Sequence, residues 1–325
     1  MCKKEISWIN SGRAICMCCV YLFHAEFYYG IGNIDYSYFF RPFFMTFFFF
    51  ISGYLIFPPN RQINVKYKIF TLLSKLLWPY FVFTTLIWIP KMIKNGYNMS
   101  FMSYFVDVFG GTASWFITAL IVAELLIFSA SYIIKDNRLY VLFGICTFTI
   151  SIMIGYSGTQ YWNYKSGMMA VLFMTLGGLY RYYEEDLSKF FSWKYCMCVF
   201  CVYITVRMID YFTYHYTPSI SEVLYDSILL GLFENLSGIT FMLLLVQLLP
   251  TRPWFDYIGK YSLCFYFLSG GCPTIVGMIF RRFFPNTHYA ITILVALISI
   301  FIAYVATKFI EKKAPFMLDA HWKKA

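Results

Sequence analysis

Charged residues are scarce in this chain: Asp, Glu, Lys and Arg supply 13% of its 325 residues, against roughly 25% in an average soluble domain. That scarcity leaves no room for a separate water-solvated domain of useful size, and the chain reads as a single domain, 1–325. Paired CxxC motifs with the usual spacing between pairs are missing, and none of the four histidines is placed to complete a tetrahedral set with Cys16, Cys18 and Cys19, so no metal is expected. The ten cysteines form no secreted framework. Most of them, Cys16, Cys18, Cys19, Cys146, Cys196, Cys198, Cys201 and Cys264, sit inside apolar runs where a thiol packs as a small apolar side chain. Internal repeats are absent, and low complexity is confined to Phe47–Phe50. No small-residue cleavage site follows Lys3 and Lys4, and Arg13 interrupts the apolar run behind them, which reads as a retained first span and not a signal peptide.

What is present is apolar. Hydrophobic residues make up 60% of the chain and aromatics 23%, and the mean hydropathy is +0.62. A segment crossing a hydrocarbon core of about 30 Å needs about 20 mainly apolar residues. Ten such segments run roughly 7–28, 37–57, 69–90, 114–134, 139–156, 167–183, 193–212, 226–249, 256–279 and 288–310. The expected fold class is therefore all-α, a polytopic membrane bundle of about ten transmembrane helices. The formal net charge of +10 follows the loops of such a bundle and is no nucleic-acid footprint. With the N-terminus inside, seventeen Lys and Arg fall in inner loops, and the outer loops hold Lys91, Lys94, Lys165, Arg281 and Arg282. Cytoplasmic loops carry the positive excess, which puts both termini in the cytoplasm of a multi-pass protein of the cell membrane. Arg281 and Arg282 go against that rule locally.

The first span, SGRAICMCCVYLFHAEFYYG at 11–30, spends three ionisable residues where its neighbours have almost none. Arg13 and His24 are eleven positions apart, which at about 100° per residue returns them to within roughly 20° of one helix face, about 16 Å apart along the axis. Ionisable groups inside spans are expensive and face the bundle interior or a watery cavity. Glu26 lies one step further out, although positions i and i+2 do not face each other on a helix. Other buried polar residues read less sharply. Arg207 and Asp210 are spaced to pair on one helix face, while Glu124 and Glu234, beside Asn235, each await a cation from another span. The segments 91–113 and 210–225 mix Tyr, Asn and His, and tyrosines gather at membrane interfaces.

The order of these segments resembles the acyltransferase family 3 membrane proteins, which O-acylate carbohydrates. Arg13, ten residues and His24 match the family's first span. FFFFISGYLIF at 47–57 resembles its Phe-rich second span, SKLLWPYFVF at 74–83 its third, and SWFITALIVAELL at 114–126 its fourth. IGKYSLCFYFL at 258–268 and FIEKKAPF at 309–316 agree near the end. Two departures stand out: Ser269 occupies a position where many relatives carry histidine, and Lys66, Lys68 and Lys75 stand where arginines are common, without the bidentate fork of Arg.

The resemblance implies an enzyme that moves an acyl group, most simply acetyl, from acyl-CoA to a hydroxyl of a cell-surface or lipid-linked glycan. The donor would be acetyl-CoA or another acyl-CoA, and the partners would be that donor, the glycan acceptor and membrane lipid, with no nucleic acid. Such a transfer needs a base for the hydroxyl or a nucleophile that carries the acyl group. His24, with an unperturbed pKa of about 6.5, suits either task, with Arg13 and Glu26 as its catalytic neighbours. The donor phosphates would meet Arg13, Lys66, Lys68 and Lys75. A transporter or flippase of a lipid-linked saccharide or small solute is the alternative from another class, since buried charges also mark pathways. A scaffold without catalysis would account for composition but not for Arg13 and His24 sharing a face.

Overall fold

The computed structural model describes residues 7–30, 35–58, 63–94, 100–155, 160–214, 219–223, 225 and 227–321, and every regular element among them is helical. The protein is all-α. Lys3, Lys4, Arg61, Lys323 and Lys324 of the charge pattern lie outside the described residues. The first apolar run forms α1 (Ser7–Ala25), which passes into a π-helical turn, Glu26–Gly30. Ala14, Met17, Tyr21 and Ala25, none more than 1% exposed, make one buried stripe at helical spacing. A short 3₁₀ turn, Ser37–Phe39, leads into α2 (Arg41–Ile56). Then α3 (Val65–Leu72), a second π turn (Leu73–Leu77) and α4 (Trp78–Lys94) follow without interruption. A four-residue α5 (Phe101–Tyr104) with a π turn behind it (Phe105–Phe109) puts helix into the segment expected as an outer loop. The rest of the chain is α6 (Trp115–Ala130), α7 (Asn137–Ile154), α8 (Tyr164–Leu187), α9 (Trp193–Thr213), α10 (Ile228–Leu248), α11 (Pro253–Lys260), α12 (Ser262–Ser269), α13 (Gly271–Phe283) and α14 (Tyr289–Lys313).

Each predicted span coincides with one of these helices or a run of them. Val65–Ile89, Trp193–Thr213, Ile228–Leu248 and Tyr289–Lys313 are long and apolar enough to cross a membrane alone, and Ser262–Ser269 with Gly271–Phe283 makes a fifth crossing if the bent pair is one span. Arg41–Ile56, Trp115–Ala130 and Arg138–Ile154 are apolar but shorter, and at 1.5 Å per residue reach only about 25 Å. The ninth predicted span is broken into α11, α12 and α13, with a 43° bend between the last two. Its cause is local: Pro273 has no N–H for the carbonyl of Ser269 and clashes with it, and Gly270 and Gly271 loosen the backbone at the same point.

The fold divides into two compact units, one of Met1–Phe48, Leu187–Pro218 and Asp226–Lys312, the other of Phe49–Asp186, Ser219–Tyr225 and Lys313–Ala325. In the first unit α1 is the central element. A Cβ on Gly259 of α11 would collide with the backbone of Asn10, so the glycine lets the two helices cross backbone to backbone. Tyr21 donates its hydroxyl to the carbonyl of Phe265 at 2.9 Å, and Ala25 and Tyr29 pack with Val276, Val295 and Ala296 in one apolar cluster.

In the second unit the close crossing is reciprocal. Gly53 of α2 lies on the backbone of Met174 in α8, and Gly177 of α8 on that of Phe50, so both helices supply a residue without a side chain where they touch. The π turn at Leu73–Leu77 has a similarly specific origin. The N–H of Trp78 bonds the carbonyl of Leu73, and the next residue, Pro79, has no N–H to give. The carbonyl of Ser74 would be orphaned, and the backbone N–H of Ala320 takes it at 3.1 Å. Trp78 Nε1 donates to the carbonyl of Phe316 at 2.8 Å beside it.

Candidate active site

Because α1 is helical without interruption from Ser7 to Ala25, Arg13 and His24 share the face that their spacing predicts, one and a half nanometres or so apart at about 1.5 Å per residue. Both side chains are half-buried. The imidazole of His24 stacks on Tyr28, one turn on, with ring centroids 6.0 Å apart and planes 16° from parallel, and Phe23 flanks it at 5.4 Å. Tyr28 lies in the π turn that ends α1. Arg281 of α13 donates to the carbonyls of Tyr28 and Tyr29, and the hydroxyl of Tyr29 bonds the carbonyl of Asn286 at 3.1 Å. The cation that broke the positive-inside pattern is thus spent on the carbonyl end of the first helix, where a positive charge is favoured.

Glu26 is buried. Both of its carboxylate oxygens accept the backbone N–H of Ser37, at 2.9 and 3.1 Å, which ties the segment before α2 to the end of α1. Around Ser37 a small polar network closes. Its hydroxyl donates to Asp35 Oδ1 at 2.8 Å and accepts from Arg41 Nη2 at 2.9 Å, and the N–H of Tyr38 also bonds Asp35 Oδ1. The Arg41 guanidinium sits 5.1 Å from the ring centroid of Phe23, the residue next to His24. Arg41, Asp35, Ser37 and Tyr28 escaped the sequence reading because they lie beyond the end of α1, where its helical periodicity carries no signal.

A second polar cluster lies deeper in the same unit. Arg207 is fully buried and bonds Asp210 Oδ2 at 2.6 Å, as their spacing predicts, and also Glu234 Oε1 at 3.1 Å. That supplies the cation for Glu234. The guanidinium lies 3.6 Å from the ring centroid of Tyr38 and donates from Nε to the Tyr38 carbonyl at 2.9 Å, so the segment anchored by Glu26 is held from its other side too. Glu124 is half-buried in α6. Ser269 is buried and donates to the carbonyl of Tyr266 in its own helix at 2.7 Å.

The three lysines belong to the second unit. Lys66 is exposed on α3. Lys68 donates to the carbonyl of Leu55 at 2.6 Å, and Lys75, in the second π turn, is exposed and 3.6 Å from Asp319. Among the described residues no group of three or more His, Cys, Asp and Glu is placed to hold a metal ion. What the first unit sets out is the imidazole of His24, an arginine on the same helix face, and a polar segment whose Arg41 lies against Phe23, the residue before His24.

The family described as an acyltransferase domain matches residues 6–308, nearly the whole chain. No curated protein and no solved structure matches it.

Proposed function

The chain belongs to that acyltransferase family, and from this membrane acyltransferase activity we propose a specific reaction: transfer of an acyl group, most simply acetyl, from acyl-CoA to a hydroxyl of a cell-surface or lipid-linked glycan. The observation that carries the reading is Arg13 and His24 on one face of the uninterrupted helix α1, two ionisable groups committed to one direction inside an apolar run. The whole chain acts as one acyltransferase domain in the cell membrane, with both termini in the cytoplasm on the strength of the Lys and Arg distribution.

In this mechanism the glycan hydroxyl gives its proton to the imidazole of His24 as its oxygen attacks the thioester carbon. The carbon–sulfur bond then breaks, and the thiolate leaves with the proton returned by the imidazolium. The products are the ester and free coenzyme A thiol, with no net proton consumed. Arg13, nearer the start of α1, holds a phosphate of the donor with its planar fork, and the tyrosine stacked on His24 fixes the ring plane. Glu26 assists by holding the neighbouring segment, not by touching the imidazole.

The test is incubation of the detergent-purified protein with membrane glycans and acetyl-CoA carrying a labelled acetyl group. Thioester consumption with label on the glycan is the expected result. His24→Ala abolishes both while its thermal unfolding stays close to wild type, since a half-buried polar side chain contributes little packing. An intact thioester in the presence of well-folded wild-type protein overturns the reading in favour of transport.

A further inference from the structure

We propose that Arg41 and Asp35 form the subsite that orients the acceptor, hydrogen-bonding neutral sugar hydroxyls within a disaccharide's reach of the one that is acylated and so setting which hydroxyl reacts. This rests on the acyl-transfer reading above for its consequence, and on the geometry around His24 for its place. Two ring-sized steps, 5.4 Å from His24 to Phe23 and 5.1 Å from Phe23 to the Arg41 guanidinium, bound the separation to the reach of a disaccharide.

The pair is built for a ligand that both donates and accepts. Arg41 and Asp35 approach to 3.6 Å, too far for a hydrogen bond, with side chains 36% and 51% exposed. The guanidinium spends Nη2 on Ser37, while its Nε is buried without a hydrogen-bond partner, a donor whose burial is unfavourable until an acceptor arrives. Among the described residues, the bonds that Asp35 accepts all fall on Oδ1. A hydroxyl is donor and acceptor at once, so it satisfies a guanidinium N–H and gives its own proton to the carboxylate. Charge decides the ligand class. The Asp35 carboxylate stands 3.6 Å from the Arg41 guanidinium and offsets its positive charge, which disfavours a phosphate or carboxylate and leaves the uncharged face of a sugar.

The subsite is also rigid, as a subsite that selects one hydroxyl must be. Glu26 clamps Ser37 through its N–H, and Arg207 holds the carbonyl of Tyr38, so Asp35 and Arg41 are fixed from both sides of the segment they share. Phe23 gives the sugar an apolar surface between the pair and the imidazole.

The experiment uses purified full-length protein and a panel of p-nitrophenyl glycosides, four neutral hexosides and one glucuronide. Binding is read by saturation-transfer NMR, acceptor and donor KM by thioester consumption, and the acylated position by NMR of the product. Arg41→Lys keeps the charge and loses the fork; Asp35→Asn keeps an oxygen for Ser37 and Tyr38. Both are expected to raise the KM for neutral glycosides by about tenfold, the loss of one good hydrogen bond, and to spread the acyl group over more than one hydroxyl. Donor KM and thermal unfolding stay at wild-type values. If Asp35→Asn unfolds, Arg41→Lys decides alone. Unchanged acceptor KM and position in the folded variants, preference of the wild type for the glucuronide, or absence of any glycoside binding overturns the subsite. Glycoside binding that depends on Arg41 and Asp35 while the thioester stays intact keeps the subsite and removes the catalytic reading instead.

Discussion

The two units use cations differently. In the second, Lys68 and Arg181 bond the carbonyls of Leu55, Tyr54 and Phe57 at the end of α2, Lys135 bonds that of Ser131 at the end of α6, and Lys165 that of Gly155 at the end of α7. A helix terminus exposes several carbonyls that its own backbone cannot satisfy, and a long flexible cation reaches them from many directions. In the first unit Arg207 faces two carboxylates, and Arg41 sits by Asp35 in a network closed by Glu26. Carboxylate and guanidinium fit each other in few orientations. A cation on a helix end is therefore structural economy, whereas a cation among carboxylates beside a histidine is a candidate for chemistry. Arg281, on the carbonyls of Tyr28 and Tyr29, shows the first unit using the simpler device as well.

The comparison breaks most visibly at Arg207. Arg207→Met leaves Asp210 and Glu234 buried without their cation, and removing one partner of a buried pair costs about 3–5 kcal/mol. The expected result is a large drop in thermal unfolding temperature in detergent. A variant as stable as wild type would mean that the carboxylates need no cation and that the charge is not what orders this cluster. Next comes the glycine crossing of the second unit. Gly53→Val drives a branched side chain into the backbone of Met174, and the overpacking costs at least about 1–3 kcal/mol, read as loss of folded protein with no change in the donor KM of the fraction that folds.

Arg13 sharpens the comparison without breaking it. Arg13→Lys keeps the charge but not the fork, so the KM for acetyl-CoA rises about tenfold, the loss of one charge-assisted contact, with turnover partly restored at saturating donor. An unchanged donor KM places Arg13 with the structural cations. The smallest effect is expected at Lys68. Lys68→Met removes one bond to a helix-end carbonyl, worth about 1 kcal/mol, and lowers the unfolding temperature by a few degrees at unchanged donor KM. A raised donor KM moves Lys68 from the capping group to the donor site.

The topology rule illustrates how far the chain can be read without its fold. Two of the cations assigned to outer loops, Lys165 and Arg281, are bonded to the C-terminal carbonyls of α7 and of the turn after α1. A count of charges per loop sees them as exceptions. The structure gives the reason: a helix whose carbonyl end lies at that level attracts a positive charge to it, whichever side of the membrane it faces.

The amino-acid sequence by itself determined the class and the axis of the site. Twenty-residue apolar segments have no folded alternative to helices in a bilayer, and a period of 3.6 residues puts Arg13 and His24 on one face whatever surrounds them. The pairing of Arg207 with Asp210 was legible for the same reason, since both lie on one helix. Only the tertiary structure decided the rest. Glu234 joins Arg207 from another helix; Glu26 accepts the N–H of Ser37; and the Arg41 guanidinium comes to lie against Phe23, the residue before His24. Such contacts depend on where helices cross and on π turns that shift the register by a residue, and those are set by backbone approaches at Gly53, Gly177 and Gly259 and by the missing N–H of Pro79, whose partners lie far away along the chain.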